Sequence, residues 1–407
     1  MSGHGPCAAS EAAQGDRACL ELSDIVRAFR LALEKTYVLN PTERAVLDAV
    51  ERCRTAALGG HVDVCLECGY TRPSYNSCRN RHCPKCPAVV QAKWIAGRLE
   101  RVLPTHYFHV VFTLPAQLRG VALGNRRAVY DLLFRCAAET LLELGQDPKR
   151  LGGELGTTAV LHTWARDISF HPHIHCIVTG GALSNDGERW LYARDEYLFP
   201  VAVMAKLFRG KMLDGLRRAH DHGQLRVADS TRFFATLASL YRTDWHVYCK
   251  RPFGGPEQVI RYLGHYTHRV ALSNQRLIAL DERTVTFRTK SGQRVTVDGV
   301  TFLKRWLTHV LPPGFVKIRH FGLMSASHAT TRLKLARQRL QAITAPAVAS
   351  AADGATPAMP PTARWREVIE LLTGVELGVC PACGGRAIER YPLPRATPEA
   401  RAPPEAA

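Results

Sequence analysis

The stretch Phe170-His171-Pro172-His173-Ile174-His175-Cys176-Ile177-Val178-Thr179 alternates with a period of two. As a strand it places Phe170, Pro172, Ile174, Cys176 and Val178 on one face. His171, His173, His175, Ile177 and Thr179 fall on the other. Strand residues i and i+2 lie about 7 Å apart, so two neighbouring imidazoles can converge on one ion, whereas positions 171 and 175 are about twice as far apart. Pro172 has no backbone N–H and belongs at a strand start or edge. The regular strand therefore follows it, which favours His173 and His175 as a metal pair. The competing reading is three surface histidines, but imidazole is the commonest transition-metal ligand near neutral pH.

The chain has 407 residues, enough for two or three domains. Its 54 basic and 36 acidic residues give a formal charge of +18, which points to nucleic acid or another anionic surface as partner. No apolar run of eighteen residues is present, so no membrane span is expected. Residues 1–7 lack the basic and apolar pattern of a secretory signal. The 13 cysteines cluster with histidine and arginine, so metal binding in a reducing, cytoplasmic setting is expected rather than disulfides.

The densest cluster is Cys65-x2-Cys68 followed by Cys83-x2-Cys86. Two such knuckles suit one tetrahedral Zn²⁺, because each turn points two thiolates at the same ion. Cys53, His61, Cys78 and His82 are close enough to serve as alternative ligands or a second site. Arg72, Arg79, Arg81, Lys85, Lys93, Arg98 and Arg101 surround the knuckles, opposed between residues 71 and 105 only by Glu100. On a zinc module that excess reads as a phosphate-contacting surface, with Arg79, Arg81 and Lys85 foremost.

Helices are expected over residues 22–37 and 41–53, the second capped by Asn40 with Pro41 at its first position. Residues 105–114 read as a strand and 116–147 as a helix. Strands at 158–165 and 169–179 are separated by Arg166-Asp167-Ile168, and Gly180-Gly181 closes the second. Helices follow near 201–219 and 230–241. The strand at 244–250 alternates again, offering Asp244, His246, Tyr248 and Lys250 as a third metal ligand or a phosphate contact if it adjoins the histidine strand. A small β region spans 277–303, a glycine-bounded basic segment spans 314–322, and Arg332, Lys334, Arg337 and Arg339 share one helix. DNA selectivity is expected in the zinc module and in residues 314–340. Cys380-x2-Cys383 supplies half a zinc site unless another segment completes it.

Pro256-Glu257 opens a further helix carrying Tyr262-Leu263-Gly264-His265-Tyr266-Thr267-His268-Arg269. Tyr262 and Tyr266 are four residues apart and share one helix face. Tyrosines at that spacing are ordinarily core packing, but Arg261, His265, His268 and Arg269 make this helix cationic. A phenol becomes a useful nucleophile when the charge it develops is stabilised nearby. A metal on His173 and His175 would polarise a phosphodiester for attack by Tyr262 or Tyr266, with Lys250 and Arg269 available to phosphate. Two tyrosines permit two linked cleavages, as strand transfer requires.

The run His171-Pro172-His173-Ile174-His175, the Tyr262–Arg269 segment and the upstream cysteines together resemble the two-tyrosine HUH transposases of rolling-circle insertion sequences. The resemblance covers residues 22–385 and implies an α+β fold. Its nuclease domain would be an RRM-like antiparallel sheet with helices on one face and the metal histidines on a central strand, preceded by a small helical zinc-binding domain. It also implies a single-stranded DNA substrate at the element ends and target, 5′-phosphotyrosine intermediates, and Mg²⁺ or Mn²⁺ as the catalytic metal, beside the structural Zn²⁺. His173 and His175 match the motif histidines, Tyr262 and Tyr266 the paired nucleophiles, and the role of His171 stays open. The expected organisation is a disordered 1–21, a zinc-binding domain at 22–102, a nuclease domain at 103–275, and a basic extension at 276–342. A linker at 343–363, a Cys-x2-Cys segment at 364–390 and a disordered tail at 391–407 complete it. The protein is expected to be nucleoid-associated, and its oligomeric state is left open. The alternatives are a related replication-initiator or relaxase-type nickase, a non-catalytic zinc-dependent DNA-binding regulator, and a metal-dependent hydrolase. The hydrolase would need strand-and-helix repeats that the chain lacks.

Overall fold

The computed structural model describes residues 20–86, 101–194, 197–250, 271–344, 370, 376 and 378–396. Helices α1 (Leu22–Thr36) and α2 (Pro41–Arg52) come first. The α1 helix buries Leu22, Ile25, Val26, Phe29 and Leu33 at helical spacing. The α2 helix starts at a reciprocal cap. The Glu43 N–H donates to the Asn40 side chain, the Asn40 N–H donates to the Glu43 carboxylate, and Pro41 fills the first helical position.

The hairpin β1 (Gly60–Cys65) and β2 (Thr71–Tyr75) follows. Next come β3 (Tyr107–Thr113), α3 (Arg119–Gly124), α4 (Arg126–Gln146), β4 (Gly153–Trp164), β5 (Phe170–Ser184) and β6 (Trp190–Tyr192). Helices α5 (Val201–Asp221) and α6 (Ser230–Tyr241) lead to β7 (Val247–Lys250). The order then runs β8 (Leu277–Leu280), β9 (Thr284–Arg288), β10 (Arg294–Asp298), α7 (Gly299–Leu307), β11 (Ile318–Gly322), α8 (Arg332–Thr344) and β12 (Ile388–Leu393).

The chain divides into two compact units. One gathers α1, α2, β1, β2, β8, β9, β10, α7 and β12. Its two antiparallel sheets run β12-β1-β2 and β10-β9-β8. In this unit α7 carries Phe302 against Phe287 of β9, ring centroids 5.8 Å apart.

The other unit is built on an antiparallel sheet ordered β11-β4-β5-β3-β7, with β6 added along β5. Helices α4, α5 and α6 contribute to one core with Phe108, Val110, Phe112, Leu161, Ile174, Cys176 and Val178 of the strands. Phe112 meets Phe208 at 4.9 Å, and Phe208 meets Trp245 at 5.5 Å. Burying a side chain of this size contributes roughly 1.5–3 kcal/mol, so this face fixes the register of the strands. An α+β arrangement with helices on one side of an antiparallel sheet is what the sequence led us to expect.

Three details differ from the sequence reading. Gly180-Gly181 does not end the histidine strand, because β5 continues to Ser184 and pairs there with β6. The strand near 244–250 does not adjoin the histidine strand, since β3 lies between β5 and β7. The region 276–342 is divided: residues through Val310 fold with the first unit, whereas β11 pairs with β4 in the second.

Candidate metal centre

The core side of β5 sets what its other side can hold. Pro172, Ile174 and Cys176 are buried, while His171, His173 and His175 are half-buried. Antiparallel register puts His162 of β4 opposite His173. One β3 neighbour of the site, Thr113, also faces His173, and another, Val111, faces His175. The result is a group of three imidazoles, His162, His173 and His175, whose ligand atoms all lie within 4.8 Å of one another. The ring centroids are 4.4 Å apart for His162 and His175 and 4.8 Å for His173 and His175.

The surroundings fix which ring nitrogens are presented. His173 Nδ1 lies 2.7 Å from the carbonyl oxygen of His171, an atom that only accepts. His173 therefore donates from Nδ1 and keeps the Nε2 lone pair for a ligand. His175 Nδ1 lies 2.8 Å from Nε2 of His109 on β3, the two rings stacked at 5.0 Å and nearly parallel. Burial pushes the His109 pKa down to about 4, so it is neutral at pH 7 and able to accept from His175. That engagement leaves His175 with Nε2 as its ligand atom. His162 is 2 % exposed and stacks on Trp164 at 4.7 Å. Three converging imidazoles suit a divalent transition ion and leave coordination positions open for substrate oxygens or water.

His171 has a different partner. The register between β4 and β5 shifts between His162 and Trp164, so Thr163 faces both His171 and Pro172. Pro172 sits where that ladder is interrupted, at a position with no N–H to lose. Arg119 of α3 donates from Nη2 to His171 Nδ1 at 2.8 Å. Burial first, then the positive charges of Arg119 and His246, hold the His171 pKa below the usual range, with Asp167 opposing.

Sequence reasoning missed His162 and His109. The polar face of 244–250 is not the source of the third imidazole: Tyr248 and Lys250 pair with Val111 and His109 of β3, one strand removed from β5. The signal for His162 was present in the short connection between β4 and β5, but its facing depends on the register shift just described.

Eight of the described cysteines form two groups of four, which corrects the expectation of one site from Cys65, Cys68, Cys83 and Cys86. Cys83 and Cys86 join Cys53 and Cys78, while Cys65 and Cys68 join Cys380 and Cys383. The separation follows from β1, which carries Cys65 along the hairpin away from the end of α2, where Cys53 lies. Cys53 Sγ and Cys78 Sγ lie 3.4 and 3.5 Å from Cys86 Sγ.

Of the expected phosphate contacts, Arg79, Arg81 and Lys250 are exposed, and Lys85 pairs with Glu21 at 2.5 Å. In the basic segments at 314–340, Arg332 pairs with Glu154 and Arg339 with Glu188, and Arg319 bonds Asp131 of α4. These cations carry internal structure. Tyr262, Tyr266 and Arg269 lie outside the described residues. No helix among the described residues is long and apolar enough to cross a membrane.

Residues 25–114 match the family model described as "Transposase zinc-binding domain", and residues 156–332 match the one described as "Putative transposase". The chain is 42% identical over 378 residues to "Putative transposase y4qJ" of Sinorhizobium fredii (strain NBRC 101917 / NGR234), covering 89% of this chain and 92% of that one. It is 26% identical over 357 residues to the "Transposase for insertion sequence element IS801" of Pseudomonas savastanoi pv. phaseolicola, covering 83% and 80% respectively. No solved structure matches the chain.

Proposed function

The chain belongs to the two-tyrosine transposase family, with that family's zinc-binding domain, and on this premise we propose that it nicks and rejoins single-stranded DNA through tyrosine–DNA intermediates, moving an insertion sequence by a rolling-circle route. The observation that carries this reading is the His162–His173–His175 group on a strand face whose reverse is locked into the core. A divalent ion held there would supply Lewis acidity to a phosphodiester oxygen and stabilise the charge that builds up during displacement. Three imidazole donors favour Mn²⁺ over the harder, oxygen-preferring Mg²⁺.

The residues divide the work. His109 fixes the ring of His175, and the His171 carbonyl fixes that of His173, so neither ligand must reorganise as charge develops. Tyr262 or Tyr266 is the nucleophile. Its O–H bond breaks, its oxygen bonds to phosphorus, the bond from phosphorus to the 3′ oxygen breaks, and that oxygen leaves with a proton. One phosphodiester replaces another, so the step is reversible and a 3′ hydroxyl can later release the tyrosine. The second tyrosine serves the second cleavage. Lys250 extends beside this face on β7, and Arg79 and Arg81 lie exposed on the zinc module, where they would contact the phosphate backbone.

Incubation of the protein with end-labelled single-stranded oligonucleotides carrying element-end sequences and Mn²⁺ tests the reading. The expected product is an SDS-stable protein–DNA adduct that requires the metal. Cleavage that leaves only free DNA ends would assign the chemistry to water and contradict the proposal.

A further inference from the structure

The C-terminal Cys-x2-Cys has a counterpart on the hairpin of the first unit. Cys65-Leu66-Glu67-Cys68-Gly69-Tyr70 and Cys380-Pro381-Ala382-Cys383-Gly384-Gly385 fold the same way. In the first, the Gly69 N–H donates to the Cys65 carbonyl at 2.9 Å, and the Cys65 N–H donates to the Tyr70 carbonyl at 2.9 Å. In the second, the Gly384 N–H donates to the Cys380 carbonyl at 2.9 Å, and the Cys380 N–H to the Gly385 carbonyl at 2.8 Å. The residue after each second cysteine sits in the left-handed region, Gly69 at φ +73 and Gly384 at φ +77. Two matching turns thus present their thiols to each other.

The sulfur separations discriminate between bonding modes. Cys65 Sγ lies 3.7 Å from Cys383 Sγ, and Cys68 Sγ lies 3.7 Å from Cys380 Sγ. A disulfide needs about 2.05 Å. Four thiolates about 2.3 Å from a central Zn²⁺ define a tetrahedron with edges of about 3.8 Å. Both cross-turn distances fall on the tetrahedral edge.

The backbone around the turns supports the same arrangement. β12 pairs with β1 from Cys65↔Ile388 to Gly60↔Leu393. The Leu66 N–H donates to the Ala387 carbonyl, and Glu67 accepts from the N–H groups of Arg386 and Ala387. Arg390 grips Asp63 through two hydrogen bonds of 2.6 and 3.1 Å.

We propose that Cys65, Cys68, Cys380 and Cys383 bind a structural Zn²⁺ of their own, separate from the Cys53, Cys78, Cys83 and Cys86 site, and that this ion staples the C-terminal strand β12 onto β1. The ion closes a loop between residues 318 positions apart. It makes the three-stranded sheet of the zinc module a product of both ends of the chain. Loss of the ion would leave the C-terminal segment held by the β1 pairing, the backbone contacts at Leu66 and Glu67 and the Asp63–Arg390 pair.

Zinc content of the full-length protein, measured as metal released by a mercurial thiol reagent after EDTA washing, tests this. The wild type is expected to release two zinc ions per chain. Cys380→Ser/Cys383→Ser should release one, as should Cys78→Ser/Cys83→Ser. Two ions from the Cys380→Ser/Cys383→Ser protein, or one from the wild type, would overturn the proposal. Cobalt reconstitution of the wild type provides a readout independent of any variant's folding. Sulfur-to-cobalt absorption corresponding to eight thiolate bonds per chain is expected, and four would contradict the inference. Cys383→His, which keeps a zinc ligand, should retain two ions.

Discussion

His162 of β4 and His173 of β5 face each other across one antiparallel register pair, their rings 5.5 Å apart and nearly perpendicular. Their side chains come from different strands, so the group exists only when the sheet is formed. Replacing His162 by Gln should weaken Mn²⁺ binding by more than about tenfold and suppress adduct formation, with the far-UV circular dichroism unchanged. Calorimetric titration of Mn²⁺ into both proteins checks this. Equal affinities would remove His162 from the site.

His109 acts through His175. Phe at position 109 keeps the ring but removes the nitrogen that faces His175 Nδ1 at 2.8 Å. The expected cost is about 10- to 100-fold in Mn²⁺ affinity, the usual range for a lost partner of a metal-bound histidine. His109→Gln should recover part of the loss. A uniform fall in thermal stability without a change in affinity would show that His109 merely fills space.

The alternation of residues 170–179 was legible because its apolar face must enter a core, and the capped start of α2 was legible from Asn40, Pro41 and Glu43 alone. The facing of His162 was not. Extending the Trp164↔Phe170 pairing without interruption would place His162 opposite Pro172, on the core side. One extra residue on β5 moves it to the histidine side, and single-residue register shifts leave little trace in composition. The pairing of Cys65 and Cys68 with Cys380 and Cys383 was hidden for another reason. Sequence proximity favoured Cys83 and Cys86, whereas the β1–β12 ladder brings in a segment more than 300 residues away.

Arg319 of β11, within the stretch read as DNA-facing, lies 4.4 Å over the Phe134 ring and 5.1 Å over that of Phe315, beside Asp131. Arg319→Ala should lower stability by about 1–2 kcal/mol, and Arg319→Lys should restore little, because an ammonium lacks the planar face. Thermal denaturation of both variants decides it. Full rescue by Lys would reduce the contact to charge alone.

The Asp63–Arg390 pair should give β12 a pH-dependent hold. Hydrogen bonding from Arg390 keeps the Asp63 carboxyl below the usual carboxylate range. Its contribution is therefore fully present above the unfolded value of about 3.9 and is lost as pH falls through the lower folded value. At pH 7, Arg390→Ala should speed amide exchange in residues 388–393 by up to about fivefold, the scale of an exposed ion pair. In acid, below the folded pKa of Asp63, the two proteins should exchange alike. A difference that persists there would assign the effect to packing.

A tyrosine of this chain is expected to become covalently joined to DNA, and peptide mapping of the adduct identifies which one. After nuclease trimming and proteolysis, mass spectrometry should find the phosphonucleotide on the peptide bearing Tyr262 or Tyr266, and the adduct should vanish in Tyr262→Phe/Tyr266→Phe. A nucleotide on any other residue, or an adduct that survives the double substitution, would contradict the account.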